Sequence, residues 1–167
     1  MRPEEAAQVS EEVRSPLVGI LTGSASDLPV IQQTSTILDK LEIPNEIQVI
    51  SAHRNPDLVD EYARVAEQRG LKVIVCGAGL AAHLAGAVAA RTVLPVIGVP
   101  IWSKYTAGMD SLLSTVQMPR GVPVATVAID GATNAAILAA QIIGVGDEEV
   151  RRRLRQFKDD LAEGLKL

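Results

Sequence analysis

Short apolar runs rich in β-branched residues recur along the chain, separated by longer segments whose apolar positions repeat with helical spacing. Val18 to Leu21, Glu46 to Ile50, Lys72 to Cys76, Val96 to Val99 and Val124 to Ala128 read as five strands. Leu28 to Leu41, Asp57 to Arg69, Ala81 to Arg91, Asp110 to Val116 and Asn134 to Ile143 carry the helical composition between them. Strands that are apolar at consecutive positions are expected where helices cover both faces of a parallel sheet. The alternation therefore predicts a three-layer, flavodoxin-like (Rossmann-like) doubly wound α/β fold. Farther on, Val150, Leu154, Phe157 and Leu161 repeat at helical spacing in the charged segment Asp147 to Gly164, which predicts an extra C-terminal helix laying one stripe on a neighbour. Its run Arg151-Arg152-Arg153 stands among Asp147, Glu148, Glu149, Asp159 and Asp160, so a solvated face or a subunit contact is expected there.

The length of 167 residues suits one such domain. Residues 1–14 are polar and acid-rich and read as a tail ahead of a single domain over residues 15–167, with no signal peptide expected. The glycines and alanines of Val73 to Ala90 suit packing between strand and helix better than a bilayer, so no membrane partner is expected. Aromatic residues make up only 2% of the chain and the net charge is −4, which leaves neither a stacking platform nor a basic footprint for nucleic acid. A single cysteine, Cys76, excludes an internal disulfide and a zinc site built on paired cysteines, and a reducing, cytoplasmic location follows as the expectation. No metal-ligand spacing, Walker lysine or nucleophile elbow is present.

In an open parallel sheet ligands bind beyond the carboxyl ends of the strands, where the strand order reverses. After the first strand, Thr22-Gly23-Ser24-Ala25-Ser26-Asp27 joins two hydroxyls to a helix N-terminus, which makes a small phosphate cradle or, more plainly, a helix cap by Ser26 or Asp27. After the second, Ser51-Ala52-His53-Arg54-Asn55-Pro56-Asp57 places an imidazole that exchanges protons near neutrality beside a guanidinium that grips carboxylate or phosphate, with Asn55 the expected helix cap. After the third, Gly77-Ala78-Gly79-Leu80-Ala81-Ala82-His83-Leu84 lets backbone approach a flat ligand closely, with His83 in a supporting role. The segment Pro100 to Asp110 holds Trp102 and Tyr105 and suits either a ligand cover or a subunit contact. A non-catalytic flavin-binding module with one of these rings on the flavin stays open at this point.

Taken together, Gly23-Ser24-Ala25-Ser26-Asp27, Ser51-Ala52-His53-Arg54, Ala78 to Leu84, Asp110 to Pro119 and Asn134-Ala135-Ala136 resemble, in order and spacing, the PurE family of purine biosynthesis. The resemblance runs from Val18 to Ile143. It implies an enzyme that moves a carboxylate from the exocyclic nitrogen of N5-carboxyaminoimidazole ribonucleotide to ring carbon C4. Direct carboxylation of 5-aminoimidazole ribonucleotide with carbon dioxide is the alternative, and Arg54 with the Leu80-Ala81-Ala82-His83 form of the third loop points to the mutase. Carried onto matching positions, the family pattern implies His53 as general acid and base. Ser24, Ser26 and Arg54 would hold the phosphate, with Asp27 and Ser51 nearby, and Ala78, Gly79, Ala81, Ala82 and Leu84 would enclose the base. No metal, ATP or biotin is implied, and a homo-octamer is. This chain departs from the usual pattern at Leu80, Ala85 and Trp102, and in the shortened segment Asp130 to Thr133, which lacks the family's lysine.

Overall fold

Residues 15–166 are described by a computed structural model; the expected N-terminal tail lies outside the described residues. Five parallel strands, β1 (Val18–Thr22), β2 (Asn45–Val49), β3 (Val73–Gly79), β4 (Val96–Ile101) and β5 (Ala125–Thr126), form one sheet in the order β2-β1-β3-β4-β5. This is the flavodoxin-like order, and it reverses between β1 and β3. The helices are α1 (Leu28–Lys40), α2 (Pro56–Val65), α3 (Leu84–Ala89), α4 (Met109–Val116), α5 (Ala132–Gly144) and α6 (Glu148–Ala162).

The consecutive apolar positions of the strands serve two separate cores. Ile20, Val75 and Val99 face a cluster with Ile31 and Leu38 of α1 and with Ala135, Ala136, Ala139 and Ala140 of α5. Leu21, Ile74 and Cys76 face the other cluster, with Val59 and Tyr62 of α2 and Leu84 and Val88 of α3. The four alanines of α5 are fully buried, and their small size lets that helix lie close to α1. Val150 and Leu154 of α6 are buried against the first cluster and Phe157 packs on it, so most of the C-terminal stripe is satisfied within the chain. Arg151 donates to the carbonyls of Gly144 and Val145 at 2.9 and 2.8 Å and closes the end of α5. The basic run is paired throughout: Arg151 with Glu148, Arg152 with Glu149, and Arg153 with Glu42 and Glu149.

Some boundaries differ from the sequence reading. β3 continues through Gly77, Ala78 and Gly79, which pair with Val99, Pro100 and Ile101 of β4. A Cβ on Gly77 would run into the side chain of Ile31, so the glycine there serves packing, not a turn. α3 begins at Leu84 instead of Ala81, α2 ends at Val65 instead of Arg69, and β5 keeps only two paired residues.

Candidate active site

The turns that leave β1, β2, β3 and β4 at their carboxyl ends surround one open cleft of about 450 Å³ at the point where the strand order reverses. Ser24, Ser26 and Asp27 enter it from the first turn. Ser24 is extended, with φ −148° and ψ 145°, and caps a 3-10 turn over Ala25–Asp27 by accepting from the Ser26 N–H at 3.3 Å. The Asp27 N–H donates to the Ser24 carbonyl at 3.1 Å, so the amides of Ser26 and Asp27 are both engaged by Ser24. The hydroxyls of Ser24 and Ser26 lie 2.8 Å apart, and Ser26 donates to Asp27 at 3.1 Å. Neither Ser26 nor Asp27 caps the helix: Asp27 precedes α1 without a side-chain capping bond, which leaves its carboxylate at the cleft. Burial raises the Asp27 pKa above its ordinary 3.8, the Ser26 hydrogen bond offsets part of that rise, and repulsion from Asp130 adds to it.

Ser51, His53 and Arg54 enter from the second turn. The Ser51 hydroxyl accepts from the Arg54 N–H at 3.3 Å, and the Arg54 guanidinium donates to the Gly23 carbonyl at 2.9 Å, which ties the second turn to the first. Asn55 occupies the position before α2 but makes no side-chain cap; Pro56, whose missing N–H is harmless in a first turn, starts the helix.

Ala78 and Gly79 reach the cleft from the end of β3, followed by Leu80, Ala81, His83 and Leu84. The Ala82 N–H bonds the Leu80 carbonyl at 2.9 Å and the His83 N–H bonds the Ala81 carbonyl at 2.8 Å. These tight turns set Ala81 and His83 on the cleft while Ala82 is buried and does not line it, contrary to its expected place around the base. His83 is more central than its sequence suggests. Its ring centroid lies 5.6 Å from that of His53, at a 36° tilt, although the two residues are distant in sequence.

The fourth wall is Ile101, Trp102 and Ser103. The Trp102 N–H donates to the Asp130 carboxylate at 2.9 Å, and the Ser103 hydroxyl reaches both oxygens of Asp110 at 3.2 and 3.1 Å. Trp102 is thus a cleft residue, while Tyr105 is exposed outside it. The pairing of β3 with β4 was the signal that places Trp102 there; Asp130 had no local signal.

Chemically the cleft offers two imidazoles, a string of hydroxyls ending in a carboxylate of raised pKa, one guanidinium and small apolar walls. Cys76 is buried, and burial pushes its thiol pKa up, away from the reactive thiolate. Among the described residues no group of three His, Cys, Asp or Glu is placed to hold a metal ion, and no helix is long and apolar enough to cross a membrane.

Residues 17–164 match the AIR carboxylase family. Over 153 residues the chain is 56% identical to the N5-carboxyaminoimidazole ribonucleotide mutase of Pyrococcus horikoshii, covering 92% of this chain and 86% of that protein. It is 56% identical over 147 residues to the enzyme of the same name from Bacillus subtilis, covering 87% and 91%. The crystal structure of Treponema denticola PurE superposes with a TM-score of 0.81 at 29% identity, over 89% of this chain and 92% of that one.

Proposed function

The chain belongs to the AIR carboxylase family, and from that membership together with the cleft we propose that it converts N5-carboxyaminoimidazole ribonucleotide into 4-carboxy-5-aminoimidazole ribonucleotide. The observation that carries the reading is the meeting of His53 and His83 over a cleft with hydroxyls and Arg54 at one end and alanine and glycine walls at the other.

Ser24, Ser26 and Arg54 hold the phosphate, the hydroxyls donating hydrogen bonds and the guanidinium adding charge. Asp27, adjoining Ser26, accepts from the ribose hydroxyls, and the Ser51 hydroxyl holds the backbone of Arg54 by accepting from its amide N–H. Ala78, Gly79, Ala81 and Leu84 let the heterocycle lie against backbone. His53 gives a proton to the exocyclic nitrogen as the N–C bond of the carbamate breaks and carbon dioxide is released. Ring carbon C4 then bonds to the carbon dioxide, and the proton displaced from C4 returns to His53. One N–C bond is exchanged for one C–C bond, with no net change in protons or electrons. A side chain that both gives and takes a proton near neutrality is the requirement, and imidazole meets it.

Incubating the purified protein with N5-carboxyaminoimidazole ribonucleotide and following the C4-carboxylated product tests the reading. Product formation without added bicarbonate is expected; formation only when 5-aminoimidazole ribonucleotide and bicarbonate are supplied points to direct carboxylation.

Residues 15–167 act as one catalytic unit in the cytoplasm, assembled as a homo-octamer. Support for assembly comes from α4 and the segment before it, where Tyr105, Met109, Leu113 and Val116 are exposed and the last three share one helical stripe.

A further inference from the structure

Leu80 and Trp102 are the first residues beyond the last paired positions of two neighbouring strands. Gly79 of β3 is in register with Ile101 of β4, and adjacent strands run about 4.8 Å apart, so these two residues leave the sheet side by side. Both line the cleft, and both stay open to solvent, Leu80 by 51% and Trp102 by 54%. Elsewhere the walls from β3 and its turn are mostly alanine and glycine. Two large, half-exposed apolar residues from neighbouring strand ends therefore line one cleft.

Both are held there by specific means. Leu80 has φ 55°, in the left-handed region, which costs a side chain with a Cβ about 1 kcal/mol or more. The backbone N–H of Trp102 is anchored to Asp130, itself at φ 55°, and the next residue is anchored by its hydroxyl to Asp110. Backbone strain and two carboxylate anchors, gathered on adjacent residues at a cleft rim, are features that surrounding structure maintains where position matters.

We infer that Leu80 and Trp102 form an apolar cover over the bound heterocycle and retain the carbon dioxide released between the two halves of the rearrangement. This rests on the reaction proposed above. Carbon dioxide is small and uncharged, so the hydroxyls and guanidinium that hold the phosphate give it no comparable grip, and retention falls to walls that exclude water. Each escape leaves 5-aminoimidazole ribonucleotide, the nitrogen having gained the proton and lost the carboxylate. The cover accordingly governs how released carbon dioxide partitions between recapture and loss.

The test is turnover of N5-carboxyaminoimidazole ribonucleotide in buffer equilibrated with 13C-bicarbonate by carbonic anhydrase. The wild-type product is expected to keep its unlabelled carboxylate. Leu80→Gly and Trp102→Ala should each raise the labelled fraction and the free 5-aminoimidazole ribonucleotide about tenfold, the low end of what one apolar contact decides. Leu80→Gly also removes the left-handed strain, so its Tm should not fall, whereas a folding defect would lower Tm as the leak rises. Trp102 is the only tryptophan in the chain, so its emission should change on titration with the C4-carboxylated product, and Trp102→Ala should bind that product about tenfold more weakly. Wild-type labelling in both variants while they still turn over overturns the inference, as does Trp102 emission unchanged at product concentrations that calorimetry shows to saturate. Leakage that appears only with dissociation of the assembly in sedimentation assigns the pair to a contact between copies and overturns it too. A wild-type protein that forms no product removes the reaction itself, a distinct failure that takes the inference with it.

Discussion

Glu46 and Asp27 are both partly buried carboxylates, and their surroundings push them in opposite directions. Glu46, on the edge strand β2, accepts from the Tyr62 hydroxyl at 2.8 Å and from Arg69 at 2.6 Å. Burial alone would raise its pKa, but the hydrogen bonds from Arg69 and Tyr62 outweigh burial and hold it below the ordinary 4.5. Asp27, at the cleft, has one hydrogen bond from Ser26 and is repelled by Asp130, and its pKa lies above the ordinary value. The edge network is closed, with Gly19 of β1 leaving room for the Tyr62 hydroxyl. The cleft is left open, with a strained Leu80 and Asp130 and carboxylates facing each other. Polar groups that finish the fold are paired off, whereas those that await a ligand keep capacity in reserve and reduce stability until it arrives.

The largest effect that can break this division is at His53. His53→Asn should lower turnover by about 10²–10⁴-fold, the range of a lost general acid and base, while product binding and Tm stay near wild type. Product formation and a thermal melt on the same preparation decide it; an unaltered rate removes His53 from the mechanism. Next is Gly19→Ala at the closed end. The added Cβ would run into the Tyr62 hydroxyl, and overpacking of this kind destabilises by about 1–3 kcal/mol. The denaturation midpoint should fall while activity per folded molecule holds. A variant as stable as wild type would show that the edge network yields freely.

The same division explains what could be read before the structure. β1, β3 and β4 are covered on both faces and appear as unbroken apolar runs, so the sheet and its helices were legible from composition. Gly77-Ala78-Gly79 reads as a loop because neither glycine nor alanine favours a strand, yet pairing with β4 and the packing of Ile31 over Gly77 make it one. The first two turns at the cleft were legible because their chemistry is local: Ser24, Ser26, His53 and Arg54 lie in two short stretches. What could not be read depends on distant partners. His83 meets His53, and Asp130 anchors Trp102, only once the strands are placed in order. Ala82 is buried behind a turn whose other residues, Leu80, Ala81, His83 and Leu84, line the cleft, and nothing in its residue type distinguishes it from Ala81.

The smallest effects are the most discriminating, because they carry opposite signs. Glu46 has a folded-state pKa below 4.5, so it contributes stability above that value, and the contribution fades as pH falls through the folded pKa. Glu46→Gln should therefore lower stability at pH 7 by about 1 kcal/mol after allowance for solvent screening, or about 3 °C in Tm. The gap to wild type should close below pH 4.5. Asp27 has a folded-state pKa above 3.8, so its ionised form opposes folding at neutral pH, and that penalty disappears as acid protonates the folded protein. Asp27→Asn retains an oxygen for the Ser26 hydroxyl and removes the charge facing Asp130. It should raise Tm at pH 7 by about 1 °C, with the gain shrinking as pH falls toward 3.8 and wild-type Asp27 takes up its proton. Melting both variants from pH 7 down to pH 4 gives two differences that begin on opposite sides of wild type and converge on it. Shifts of the same sign at pH 7 would mean that the two carboxylates share one kind of environment, and the contrast between the closed edge and the open cleft would not hold.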